Sequence, residues 1–265
     1  MKLYMDFSVV LAIGSAVCGI IWAIDSLFFK KKRALYAIPE SDEAKEPKIV
    51  EYAKSFFPIL LIVFFLRSFL AEPFRIPSGS MKPTLLVGDF VLVNKFAYGV
   101  RLPLFGTKLV EKGDPQRGDV LVFRYPVDTN VNFIKRVVAL PGDKVKYSNK
   151  TLYINDKVMP KHFQEQVSDF NDFGSLQNLK LFKEKLNGVE HTMYIDPQRP
   201  DKTVEIEVPE GHYFVMGDNR DNSDDSRAWG FVPDELIIGK GVYVWMSWDG
   251  LSKDVRWKRI GNKIT

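Results

Sequence analysis

The sequence predicts a mainly β outer domain, built of antiparallel, barrel-like sheets and preceded by two transmembrane α-helices. Three observations predict it. Charge is absent from residues 7–24 and nearly absent from 55–71, a basic segment separates those two runs, and from about residue 72 onward short β-branched and aromatic runs alternate with turn residues.

Composition agrees with this. The 265 residues are 46% hydrophobic and 26% charged, too apolar for a disordered chain. Thirty-seven basic against 33 acidic residues leave a net charge of +4, which gives no reason to expect a nucleic-acid partner.

The first element is the charge-free run Phe7–Ile24, bracketed by Asp6 and Asp25. At about 1.5 Å per residue it nearly crosses a hydrocarbon core of roughly 30 Å. Residues 1–29 therefore read as a short outer N-terminus and a first span. A cleaved leader carries its basic residues before the apolar stretch, and here only Lys2 precedes it. A lipid anchor at Cys18 would need a small residue before the cysteine, where Val17 stands. Residues 30–54 hold seven Lys/Arg, including Lys30 to Arg33, which puts this loop in the cytoplasm by the positive-inside rule. From Ala34 to Lys54, Pro39 and Pro47 make it a solvated linker, partly helical near its end. Residues 55–71 form the second span, interrupted only by Arg67, whose long side chain can snorkel to the interface. Everything after Ala71 is then outside.

Residues 72–265 read as the outer β domain. Strands are expected at Leu85–Val87, Phe90–Val93, Asp119–Tyr125, Phe133–Leu140, Thr151–Ile154, Val204–Val208, Tyr213–Met216 and Val242–Trp248. Gly-Asp pairs beginning at 88, 113, 118, 142 and 217 supply positive φ and a side-chain cap for turns. An excursion at about 144–208 carries no motif. Within it Leu176, Leu179, Phe182 and Leu186 recur at helical spacing behind Ser175, which predicts a short helix. A single cysteine and three dispersed histidines leave no disulfide, Cys-rich zinc site or His-Glu-x-x-His, so no metal or cofactor is expected.

Chemistry centres on three segments. Ser78-Gly79-Ser80 is confined between Pro77 and Pro83, which disfavour helix on either side. The usual serine-hydrolase patterns fail there: a nucleophile elbow would need glycine at Ser78 and Lys82, and Ser-x-x-Lys would need lysine at Pro83. None of the histidines has a paired acid in a recognisable motif. In NFIKRVVALPGD, period-2 alternation puts Lys135 in a row with Phe133 and Val137, and Arg136 on the opposite face. A lysine there either snorkels or is desolvated, and a desolvated amine can take a proton from a serine hydroxyl. The acid-rich MGDNRDNSDDSRAWGF does not fit an EF-hand, which would need Gly at Ser223 and Glu at Trp229. It reads instead as a hydrogen-bonded turn in which Ser223 can orient an amine and Asp225 can pair with Arg227.

Together IPSGSMKPTLLVGDFVLVNKF, RGDVLVFRYP, FIKRVVALPGD and GDNRDNSDDSR resemble, in order and spacing, the motif series of type I bacterial signal peptidases. These are membrane-bound serine proteases that release exported preproteins from their leader peptides. The resemblance implies Ser80 as nucleophile, Lys135 as general base and Ser223 as support for the lysine, with Asp225 and Arg227 beside it. It further implies an oxyanion hole of the Ser78 hydroxyl and the Ser80 N–H, and cleavage after small residues at −3 and −1. Phe74, Ile76, Pro77, Met81, Leu85, Val91, Val122, Asn132, Phe133 and Ile134 would line the substrate site. The implied location is the bacterial inner membrane with the catalytic domain on the periplasmic side. Signal peptides and the lipid bilayer would be partners, and the protein-export machinery a candidate one. An apolar patch around Phe74, Trp245 and Trp248 would meet that bilayer. The competing class is a catalytically inactive, membrane-tethered β binding domain.

Overall fold

The computed structural model describes residues 7–36, 46–101 and 108–265. The expected outer N-terminus and the middle of the basic loop, with Pro39, lie outside the described residues. What is described divides into two compact units, one built on the chain up to Ala71 and one on Glu72–Val100 and Lys108–Thr265.

In the first unit, helix Phe7–Ile24 runs through one wider turn, Asp25–Phe29, into Lys30–Tyr36. The basic block Lys30–Arg33 is therefore helical. Arg33 closes on the Asp25 carboxylate with bonds of 2.5 and 2.6 Å, which ties the block to the end of the apolar run. The second helix, Lys48–Phe65, begins directly behind Pro47, where a missing N–H costs nothing. The two pack against each other: the rings of Trp22 and Phe57 are 5.6 Å apart, and Arg67 lies 4.8 Å over Phe7. Much of their apolar surface stays exposed, as at Ile13, Ile20, Ile59 and Ile62. Both are long and apolar enough to cross a membrane, over Phe7–Arg33 and Lys48–Ser68.

The second unit is mostly antiparallel sheet. Its main sheet has the strand order Ala71–Arg75, Asp89–Asn94, Ile237–Asp249, Val120–Arg124, Asn132–Ala139, His212–Met216, Val232–Pro233. Three Gly-Asp turns punctuate it identically. Asp89, Asp119 and Asp143 each accept the N–H three residues earlier, from Leu86, Gln116 and Leu140, at 2.9, 3.0 and 2.7 Å. The first of these turns claims part of the strand expected at Leu85–Val87. Leu85 N–H bonds the Met81 carbonyl, so that segment is turn.

The 144–208 excursion forms two further sheets, one of Val204–Glu207, Lys144–Ser148, Thr151–Ile154 and Lys157–Val158, the other of Lys161–Phe170, Leu176–Leu186 and Val189–Ile195. The helix expected behind Ser175 is thus a strand. An isolated helix of this length is marginal, whereas Leu176–Leu186 finds a backbone partner on each side. Phe182 pairs with Phe163 across the ladder, ring centroids 5.7 Å apart. Asn187-Gly188, with φ of 46° and 89°, makes the tight turn that starts the return strand.

Candidate active site

Three stretches of the second unit converge. Ser80 sits on a single 3₁₀ turn, Gly79–Met81, entered from extended Ser78. Buried Ile76, Met81 and Leu85 anchor the turn on both sides, and Ile76 N–H bonds the Asp89 carbonyl at 2.8 Å. The turn is held from across by Asn219, whose backbone N–H donates to the Ser80 carbonyl at 3.0 Å and whose Nδ2 donates to the Gly79 carbonyl at 3.1 Å. Ser80 is 7% exposed, and the Ser78 hydroxyl lies 3.5 Å from its Oγ.

Lys135, 4% exposed, projects from strand Asn132–Ala139 with Nζ 2.7 Å from Ser80 Oγ and 5.1 Å above the Phe133 ring. Burial lowers its pKa to about 8 against the opposing pull of the Asp225, Asp224 and Asp218 carboxylates. Next to it Arg136, expected only to point away, is fully buried as well. It is paired with Asp218 at 2.8 and 2.7 Å and donates to the Gly118 and Thr265 carbonyls.

The third stretch is the turn after Met216. Asp225 caps helix Ser226–Trp229, accepts Gly217 N–H at 3.0 Å and pairs with Arg227 at 2.8 Å. Burial opposes its charge, but Arg227 and the Gly217 N–H outweigh burial and hold the carboxyl below its usual range. Ser223 is buried against Gly217 and makes no hydrogen bond to Lys135. A Cβ on Gly217 would meet Ser223 Oγ at 2.3 Å and the Ser80 carbonyl at 2.4 Å, so only glycine lets this turn approach the serine.

Of the residues expected to line a substrate site, Phe74, Ile76, Met81, Leu85, Val91, Val122 and Ile134 share one apolar cluster. Phe133 belongs to another, stacked on Tyr125 at 4.3 Å, while Pro77 and Asn132 are exposed. A cavity of about 280 Å³ opens along Gly79, Lys82, Asp172, Asn219 and Ser223.

Sequence reasoning assigned no role to Asn219 or to the Arg136–Asp218 pair, and read Gly217 only as a turn glycine with positive φ, which it does not have. Gly217, Asp218 and Asn219 head the quoted GDNRD segment, and the signal that was available is that an arginine inside an apolar strand requires a buried acid.

Residues 49–248 match the family model described as "Signal peptidase, peptidase S26". Curated relatives named Signal peptidase I include that of Pseudomonas fluorescens, 51% identical, and that of Pseudomonas aeruginosa, 49% identical. Both alignments cover 92% of this chain and 93% of the relative. The corresponding protein of Haemophilus influenzae is 36% identical over 91% of this chain and 86% of its own length. With a serine turn, a buried lysine and an acid-rich turn meeting inside the matched residues, the chain belongs to the signal peptidase family of serine endopeptidases, peptidase S26.

Proposed function

We propose that the chain cleaves signal peptides from exported preproteins after small residues at −3 and −1, with Ser80 as nucleophile and neutral Lys135 as general base. The observation that carries this reading is the 2.7 Å separation of Lys135 Nζ and Ser80 Oγ at a site where burial favours the neutral amine. Lys135 takes the hydroxyl proton as Oγ attacks the scissile carbonyl, and the Ser80 N–H and Ser78 hydroxyl receive the oxyanion. The proton passes to the leaving amine. Water, activated by the same lysine, then hydrolyses the acyl-enzyme and restores Ser80.

Small side chains follow from packing. Ile76, Met81, Leu85, Val91, Val122 and Ile134 are already buried against one another around the serine turn, so the surface above them admits a methyl group more readily than a large side chain. The Asp225–Arg227 pair keeps its two charges occupied with each other, and Ser223 packs where a Cβ on residue 217 would otherwise sit.

The basic block after the first span supports, by the positive-inside rule, a cytoplasmic position for residues 30–54 and a catalytic unit on the periplasmic face of the inner membrane. Tyr243, Trp245, Trp248, Leu251 and Trp257 are exposed, and amphipathic indoles suit the bilayer interface. Phe74, by contrast, is half-buried against the core.

The test is cleavage of a synthetic leader peptide in detergent by the wild type, Ser80→Ala and Lys135→Ala. Both variants are expected at background while remaining folded, as a cooperative unfolding transition shows. Substantial activity in either overturns the dyad.

A further inference from the structure

The N–H that opens the serine turn, like the carbonyls held by Asn219, finds its partner far away in the chain. Gly79 is the first residue of the 3₁₀ turn, so its N–H has no partner within the turn and needs an acceptor from elsewhere. That acceptor is Asp172, 93 residues away at the tip of the hairpin formed by Lys161–Phe170 and Leu176–Leu186. Its two carboxylate oxygens lie 2.9 and 3.0 Å from Gly79 N.

The hairpin tip is organised to present this carboxylate. Asn171 satisfies the tip's own backbone: its Oδ1 accepts the N–H of Phe173 at 3.0 Å and of Ser175 at 2.8 Å, and its carbonyl accepts Gly174 N–H at 3.0 Å. Asp172 is left to reach outward. A second bond holds tip and turn together, since Lys82 Nζ donates to the Phe170 carbonyl at 2.8 Å and to Asp169 at 3.2 Å. Gly79 also lacks the Cβ that would come within 2.8 Å of the Asp172 oxygen.

We propose that Asp172 is a positioning residue for the cleavage reaction: by holding the N–H of the Ser78–Gly79 peptide it fixes the backbone that leads directly into the next peptide, Gly79–Ser80, and with it the Ser80 N–H and Oγ. This rests on the Ser80–Lys135 reading. Asn219 holds the Gly79 carbonyl and Asp172 the Gly79 N–H, so the residue before the serine is clamped at both of its backbone polar groups. A peptide that donates to a developing oxyanion works only when aimed before the charge appears, and small misalignments are costly there.

The experiment is steady-state cleavage of a leader peptide by the full chain as wild type, Asp172→Ala, Asp172→Asn and Ser80→Ala, with unfolding temperatures measured alongside. Asp172→Ala is expected to lower kcat on the order of tenfold, the scale of one hydrogen bond to a charged acceptor, with KM and unfolding temperature unchanged. Asp172→Asn, which keeps a carbonyl acceptor, is expected to recover most of that loss. A kcat in Asp172→Ala within twofold of wild type, a defect confined to KM, or an Asn variant as impaired as the Ala variant overturns the proposal while leaving the dyad standing, provided Ser80→Ala is inactive. An active Ser80→Ala would instead overturn the dyad reading on which the proposal rests.

Discussion

Lys135 and Arg136 are neighbours on one strand, both almost wholly buried cations, and their surroundings differ completely. Arg136 spends its donors on the Asp218 carboxylate and on two backbone carbonyls, so its charge is matched at every point. Lys135 has one hydrogen bond among the described residues, to a serine hydroxyl, and the nearby carboxylates act on it only from a distance. A buried cation with a counterion is a structural rivet; a buried cation without one tends to give up its proton. The same depth of burial thus yields architecture on one face of the strand and basicity on the other.

Putting a permanent charge in the unpaired position breaks the contrast most severely. Lys135→Arg is expected to lose turnover by about 10³-fold or more, because a guanidinium does not surrender its proton to serve as base. Leader-peptide cleavage measured up to high pH checks this, and recovery of activity as pH rises would contradict it. Wild-type turnover should climb with pH and reach half its plateau near 8, the point at which half of Lys135 is neutral.

Removing the paired cation should damage the fold rather than the chemistry. Arg136→Met leaves Asp218 charged at 0% exposure with the Thr84 hydroxyl still bonded to it but its guanidinium partner gone, and is expected to cost about 3–5 kcal/mol in denaturant unfolding. Replacing Asp218 by leucine in the same chain should recover part of the loss.

Removing the unpaired cation should do the reverse. With a folded pKa of about 8 against an ordinary 10.5, Lys135 carries an unfavourable charge when protonated, worth about 3 kcal/mol. Below pH 8 both states hold the proton and the folded state bears the whole cost. Between 8 and 10.5 the unfolded state binds more protons, so stability rises with pH. Lys135→Met is therefore expected to be inactive yet more stable than wild type near pH 7, with the gain shrinking toward pH 10.5. A constant difference across that window would refute the desolvated lysine.

The smallest effect is expected at Ser223. Its hydroxyl makes no bond to Lys135, so Ser223→Ala should lower kcat by less than about tenfold and leave the pH inflection in place. A shifted inflection would show that the hydroxyl orients the amine after all.

Much of this organisation was readable from residues alone. The Gly-Asp turns at 88, 118 and 142 were legible because glycine and aspartate act within a few positions of one another, while the serine and lysine were singled out by the resemblance of their motifs to those of signal peptidases, the lysine also by its place in an apolar strand row. The 176–187 segment was misread because leucines at helical spacing also suit a half-buried strand. The stronger local signal, Asn187-Gly188, lay just past its end. Asp172 offered no signal at all, being one acidic residue in a polar turn.

The sequence by itself determined the two apolar spans, the side on which positive charge collects, and the residue types that meet in the site. Each depends on composition within a window of chain, which folding cannot alter. Only the tertiary structure decided that Arg136 has its counterion and Lys135 does not, that Ser223 stands clear of the amine, and that a hairpin tip caps the serine turn. Those outcomes depend on distances between segments far apart in the chain, and a pKa or a hydrogen bond is set by such distances, not by neighbours in sequence.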